Sequence, residues 1–380
     1  MNNRYSHVPS PCFVIEEQKL RQNLALIERV KTEAGVEIIP AFKGFALWGV
    51  FPVLREFVSG ASASSLHEAR LCFEEMKTRA HTYSPAFIPE DFDEIMNYSS
   101  HLIFNSVAQL EKYLPKIRTY PEKISVGLRV NPEFSEVEPL IYNACSPGSR
   151  LGVVASQMPE KLPEEVEGLH FHTLCESGAD DLEKTLEAFE SRFGKYIQQM
   201  KWINMGGGHL MTRKGYDIEK LISVLKNFRQ KHGKQIILEP GSAFAWETGV
   251  LVSTVLDVVE NRGIRTAMLN VSFAAHMPDC LEMPYKPRIT GADFDPVEGK
   301  PTYRMGGNSC LSGDFVGFWS FDRELQPGDR IIFEDMIHYT MVKTNFFNGV
   351  NHPSIGILRP DGSFELLRRF EYADYKNKLS

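Results

Sequence analysis

Eight short runs of strand character recur between residues 18 and 247, most of them separated by a longer segment with helical spacing. The runs are Val36–Phe42, Phe57–Ser62, Ala80–Ser84, His101–Asn105, Ile124–Val130, Gly168–Thr173, Trp202–Met205 and Gln235–Glu239. The clearest helical segment is Asp180–Met200, where Leu182, Leu186, Phe189, Phe193, Ile197 and Met200 form one apolar stripe. Ser65–Lys77 and Tyr216–His232 read the same way. Strands joined through helices return to the same end of a sheet and so pair in parallel. Eight such units over residues 18–247 predict an α/β fold, a (β/α)8 TIM-like barrel, with an open doubly wound sheet as the alternative.

The texture changes after residue 248. Gly249–Glu260 is rich in Val and Leu without a helical stripe, and β-like runs follow at Ala267–Phe273, Arg330–Phe333, His338–Lys343 and Ser354–Leu358. Turn sequences such as Pro327-Gly328-Asp329 and Pro360-Asp361-Gly362 punctuate them. Residues 248–380 are therefore expected to form an all-β domain, joined by residues 1–17, whose Cys12–Ile15 run is a further strand.

Lys+Arg total 42 and Asp+Glu 49, a net charge of −7 without any basic block, which argues against nucleic acid as a partner. No uninterrupted apolar window approaches a membrane span, and the first residues lack the apolar centre of a signal peptide. Six scattered cysteines without a CxxC pair read as reduced thiols in a cytoplasmic protein.

Barrel enzymes place their chemistry at the C-terminal ends of the strands. Lys43 ends the first run, where an amine can be partly desolvated and form a Schiff base. His170 and His172 end the sixth and share a face, a spacing that also suits zinc. Gly206-Gly207-Gly208 follows the seventh, where backbone N–H groups can approach an anion. Glu239 ends the eighth and can pair with a cationic ring nitrogen. In the β domain, Cys310 lies in the glycine-rich stretch Gly306–Asp314 and offers a proton donor. Each has a plainer reading alone: a lysine reaching water, a packed histidine, a flexible turn, a solvated acid, an inert thiol. Together, a lysine, an imidazole, a glycine loop and a carboxylate at four strand ends match what pyridoxal phosphate requires.

Beyond this constellation, the stretches PAFKGFALWG, HTYSPAF, GLRVN, GLHFHTLCES, MKWINMGGGH, LEPGSAFAWETG, AHMPD, GNSCLSGD and IHYT resemble the fold-type III pyridoxal-phosphate decarboxylases. These are the alanine racemase-like barrels that include ornithine, arginine and diaminopimelate decarboxylases. The resemblance implies that Lys43 carries the cofactor as an aldimine and that His172 stacks on its ring. It places Gly206, Gly207, Gly208 and Tyr339 at the phosphate, and Glu239, with Arg129 nearby, at the pyridinium nitrogen. It makes Cys310 the acid that protonates the product in the partner subunit's site, with Asp314 contacting substrate amines across a homodimer interface. Two departures stand out: Ser242 replaces an arginine after Glu-Pro-Gly, and Leu174-Cys175, followed by Glu176, replaces Gly-Ser after the stacking histidine.

The reaction implied is decarboxylation of carboxynorspermidine or carboxyspermidine in polyamine biosynthesis. Such a substrate joins an α-amino-carboxylate head to a polyamine tail. Glu239, His276, Asp279, Asp314 and Glu282 are the candidate groups around it. The alternatives are a decarboxylase of another basic amino acid such as diaminopimelate, a racemase on the same barrel, a binding protein that has lost the cofactor, and a zinc hydrolase using His170 and His172.

Overall fold

The computed structural model describes residues 3–282 and 284–380. Contacts divide them into two compact units, Asn23–Phe244 and the residues up to Gln22 together with Ala245–Ser380. After β1 (Cys12–Glu16), which belongs to the second, come β2 (Glu37–Ile38), β3 (Ser62–Ala63), β4 (Ala80–Tyr83), β5 (Ser99–Phe104) and β6 (Ser125–Asn131). β7 (Val153–Val154), β8 (Val166–His170), β9 (Trp202–Asn204) and β10 (Gln235–Leu238) complete the first unit.

Within that unit the strands pair in the order β2-β10-β9-β8-β6-β5-β4-β3, all parallel, with β7 a short addition to β6. The ends of this path meet. Ala41, just beyond β2, bridges Ser62 of β3 in parallel. Phe42 N–H donates to Ser62 O at 3.0 Å, and Ser62 N–H donates to Pro40 O at 2.8 Å. The sheet thus closes into the eight-stranded parallel barrel expected from the alternation.

Helix ends are marked as the sequence suggests. Ser106 and Asp217 accept the Gln109 and Lys220 N–H groups at the starts of helices Val107–Thr119 and Ile218–His232. The second of these stops at Gly233, where φ is 64°. Helix Ala179–Ile197 buries Leu182, Leu186, Phe189, Phe193 and Ile197.

Ile39, Ile103, Trp202 and Ile237 form a core cluster, with Tyr83 packed against it. Trp202 needs two glycines beside it. A Cβ on Gly127 would lie 2.4 Å from its ring, and one on Gly168 only 2.1 Å. Its Nε1 donates to Ser125 Oγ at 2.9 Å, so the one polar atom of the indole is satisfied.

The other unit contains β11 (Gly249–Asn261), β12 (Ile264–Leu269), β13 (Thr302–Gly306), β14 (Phe315–Ser320), β15 (Arg330–Glu334), β16 (Ser354–Leu358) and β17 (Phe364–Arg368). Their order is β14-β13-β12-β11-β1-β16-β17, with β15 on β11. The N-terminal β1 lies inside this mixed sheet, antiparallel to β11 and parallel to β16.

Three expected strands come out differently. In Phe57–Ser62 only Ser62 is in strand form, because Phe57 N–H donates to Leu54 O in a helical turn. Ala267–Phe273 ends as a strand at Leu269, since the Ser272 hydroxyl caps a helical turn, Phe273–His276. His338–Lys343 is no strand: Asp335, at φ 59°, turns the chain after β15, and Tyr339–Val342 coils. The sequence pattern does not single out β7, β13, β14, β17 or the helix Tyr372–Leu379. Among the described residues, no helix is long and apolar enough to cross a membrane.

Two glycine substitutions should move stability in opposite directions. Gly168→Ala, with its Cβ in the indole, should cost about 1–3 kcal/mol. Gly194→Ala, in helix Ala179–Ile197 with nothing within 4 Å of its Cβ, should gain about 0.5–1 kcal/mol. Urea unfolding midpoints of the two variants check both signs.

Candidate active site

Lys43, Arg129, His172, Gly206–Gly208 and Glu239 all belong to the barrel unit, and the structure brings them together. Lys43 follows the closing residues Pro40–Phe42, His172 lies two residues beyond β8, the glycines follow β9, and Glu239 follows β10. Parallel pairing places these ends side by side.

Lys43 Nζ lies 3.2 Å from His172 Nε2. His172 Nδ1 accepts the Gly207 N–H at 2.7 Å. A backbone amide can only donate, so Nδ1 carries no proton, and the neutral ring carries it on Nε2. That N–H faces the lysine, and a lone pair on Nζ receives it only if the amine is uncharged. The electrostatics agree in direction. Water reaches the Lys43 side chain, yet protein crowds its amine. Burial first, then Arg129, lower its pKa to about 8, while Glu239 pulls the other way. Burial likewise holds His172 well below its ordinary range, with Lys43 and Arg129 adding to it. The outcome is an accessible amine poised as a nucleophile beside a neutral imidazole.

Arg129, on β6, is buried. It donates from Nη2 to His172 O at 3.0 Å and lies over the Tyr83 ring, 4.7 Å from its centroid. Glu239 is 5% exposed. Burial raises its pKa, and hydrogen bonds from Asn204 and Ser62 and the charges of Lys43 and Arg129 oppose that. His81 Nδ1 and His170 Nε2 approach the Glu239 oxygens at 3.9 Å. Burial keeps both imidazoles neutral. His170 is the packed member of the His-x-His pair. Among the described residues, no group of three or more His, Cys, Asp or Glu is arranged to hold a metal ion.

The glycine loop presses against neighbouring strand ends. A Cβ on Gly207 would lie 2.4 Å from Glu239 O, and one on Gly208, at φ 89°, would lie 2.1 Å from Leu174 O. The loop's own N–H groups also build the site: Gly206 donates to Asn204 Oδ1 at 2.8 Å, and Gly207 to His172. Asn204, Ser62, His81 and Tyr83 escaped the sequence reading. The available signal was their place: Asn204, Ser62 and Tyr83 sit where a polar residue or a tyrosine interrupts or ends an apolar strand.

The sheet unit carries the remaining candidates. Cys310 is exposed, and its N–H donates to Asn348 Oδ1 at 2.8 Å. Asp314 is buried. Its Oδ2 accepts the Ser309 N–H at 3.0 Å and the Ser309 hydroxyl at 2.6 Å, and its Oδ1 accepts the Ala274 N–H at 3.0 Å. It therefore pins the cysteine loop to the turn that ends in His276. That histidine is fully buried, its Nδ1 accepts the Ser272 N–H, and burial lowers its pKa to about 3. Asp279 Oδ2 accepts the Tyr285 and Thr340 hydroxyls, both at 2.8 Å, and so holds the turn that Tyr339 opens. Glu282 is exposed and paired with Lys343.

Residues 12–337 match the family model described as pyridoxal-dependent decarboxylase, C-terminal sheet domain. A carboxyaminopropylagmatine decarboxylase from Synechocystis sp. is 52% identical over 100% of this chain and 97% of its own. A carboxynorspermidine/carboxyspermidine decarboxylase from Campylobacter jejuni is 43% identical over 98% of each chain. The crystal structure of carboxynorspermidine decarboxylase complexed with norspermidine, from Campylobacter jejuni, matches with a TM-score of 0.91 at 42% identity, covering 98% of this chain and 100% of that one. Matched along nearly its whole length and carrying an amine, an imidazole, a glycine loop and a buried acid at the strand ends, the chain belongs to the pyridoxal-phosphate-dependent decarboxylases.

Proposed function

We propose that this chain decarboxylates α-amino acids whose side chain is a polyamine: carboxynorspermidine and carboxyspermidine, giving norspermidine and spermidine in polyamine biosynthesis. The observation that carries the chemistry is the Lys43 amine, its pKa lowered to about 8, held 3.2 Å from His172 Nε2, with Glu239 buried in the same strand-end cluster. The substrate reading is supported by the 43% identical relative and by the solved structure with norspermidine bound. A second reading, a tail ending in a guanidinium, is favoured by the 52% identical relative named for carboxyaminopropylagmatine.

The residues fit the cofactor. Lys43 would hold its aldehyde carbon, Gly206–Gly208 and Tyr339 its phosphate, and His172 its ring, with Glu239 at the ring nitrogen and Arg129 behind. When bound, pyridoxal phosphate supplies an electron sink for the pair left behind as carbon dioxide departs. Lys43 contributes an amine whose lowered pKa, about 8, leaves a usable unprotonated fraction near neutral pH, the form that attacks a carbonyl. Glu239 offers a buried negative charge, which favours a protonated nitrogen beside it. With Ser242 in place of an arginine, phosphate binding leans on Tyr339 and on loop N–H groups other than those of Gly206 and Gly207, which already donate to Asn204 and His172.

Cys310 hands a proton to the carbon that has lost its carboxylate. Support comes from its exposure on a loop that the buried Asp314 holds in place. Asp314, Asp279 and Glu282, with His276 nearby, supply polar groups toward the substrate's amines. The assembly proposed is a homodimer with shared active sites, in which Cys310 serves the partner's site through the sheet domain. The cytoplasm is the proposed location, in keeping with six free cysteines.

Three measurements check this reading. Borohydride reduction of the holoenzyme should fix a pyridoxyl group on the peptide containing Lys43, and Lys43→Ala should lack both the label and the visible absorption band. Carbon dioxide release should favour the carboxylated polyamines over diaminopimelate by about 100-fold or more in kcat/KM, since a site built for polar partners rejects a substrate lacking them. Carboxynorspermidine and carboxyspermidine, one methylene apart, should differ by no more than about 200-fold. Carboxyaminopropylagmatine in the same panel decides the second reading. Cys310→Ala should lower kcat by about 10²–10⁴-fold with KM little changed, and should divert product toward abortive transamination.

A further inference from the structure

Asn204 ends β9, and its side chain is fully buried. Its Oδ1 accepts the Gly206 N–H at 2.8 Å, and its Nδ2 donates to Glu239 Oε1 at 2.7 Å. Backbone bonds frame the same joint: Phe171 N–H reaches Asn204 O at 2.9 Å, and Glu239 N–H reaches Gly206 O at 2.7 Å. The amide's orientation is therefore not free. Gly206 N–H can only donate, so it selects the oxygen end of the side chain, and the NH2 end is left facing the carboxylate. An oxygen held opposite an N–H donor is held as an acceptor, which favours the ionised carboxylate. The next residue, Gly207, fixes the His172 tautomer that faces Lys43.

We propose, on the reading of Glu239 and the glycine loop given above, that Asn204 is a positioning residue that ties the charge of Glu239 to the conformation of the loop. One amide then sets both the partner of the ring nitrogen and the path of the chain around the phosphate. The groups around Glu239 are Lys43 beyond β2, Arg129 on β6, Ser62 on β3, and the imidazoles of His81 on β4 and His170 on β8. Of these, the basic groups Lys43 and Arg129 favour the ionised carboxylate. A second acid at position 204 would face Glu239 directly.

Asn204→Leu removes both side-chain bonds. Asn204→Asp keeps an acceptor for Gly206 and replaces the donor with an acid. In each holoenzyme, cofactor release into a trapping protein is followed by absorbance, beside kcat and KM. Losing a hydrogen bond to a charged group should speed release about tenfold or more in Asn204→Leu, and lower kcat more than it changes KM. Asn204→Asp should match that loss at about pH 8 and recover toward wild type at about pH 6, because two facing carboxyls share a proton and the shared O–H restores a donor. Wild-type release should change little across this range.

Wild-type cofactor retention by Asn204→Asp at the higher pH overturns the proposal. So does a loss in Asn204→Asp that does not vary with pH, which would reduce Asn204 to packing. If Asn204→Leu fails to fold, Asn204→Asp decides alone. Absence of the borohydride label on wild-type Lys43 would overturn the site reading itself, whereas a normal label with unaltered Asn204 variants overturns only this inference.

Discussion

The barrel's chemistry depends on the closure at Ala41 and Ser62. Without Phe42 N–H to Ser62 O and Ser62 N–H to Pro40 O, the segment after β2 would be a free edge. Lys43 would then hang from a mobile loop. With those bonds made, and Ala41 N–H donating to Pro240 O at 3.0 Å, the lysine is anchored between the strand that carries Ser62 and the turn that follows Glu239. Ser62 is both part of the seam and a hydrogen-bond partner of the Glu239 carboxylate. The bond ladder that completes the fold is also the one that assembles the ionisable groups.

Much of this was readable from residue pattern. Long, strongly striped segments such as Asp180–Met200 became helices within a few residues of the expected ends, because burial of one face dominates local preference. Strand ends named the positions of Lys43, His172, Gly206–Gly208 and Glu239, since parallel pairing leaves little freedom over which ends are neighbours. Failures came where local hydrogen bonding outcompeted pattern. Ser272 and Asp335 each redirected a chain that still looked apolar enough for a strand. The sheet unit was harder, because β13 and β14 mix Arg, Gly and aromatic residues and show no clean alternation.

Within the site, single residues were visible but their pairings were not. The three glycines invited a phosphate reading, yet two of their N–H groups also serve Asn204 and His172. Asn204 carries no signal of its own beyond ending a strand. The roles of His170 and His172 separated only once burial was known: one packs beside Glu239, and the other faces the amine. The same cluster shows why imidazoles suit this environment. Neutral rings fill space around two basic groups and one carboxylate without adding a charge that the buried site would have to neutralise.

β1 lies inside its sheet, between β11 and β16, although it leaves the ribosome before either. Translation at about 5–20 residues per second means tens of seconds before residues 354–358 emerge to pair with it. All of Asn23–Phe244, a compact unit, is synthesised within that interval. The nascent chain therefore carries an apolar Cys-Phe-Val-Ile segment without its sheet partners for most of its synthesis, an opening for chaperones and for aggregation alike.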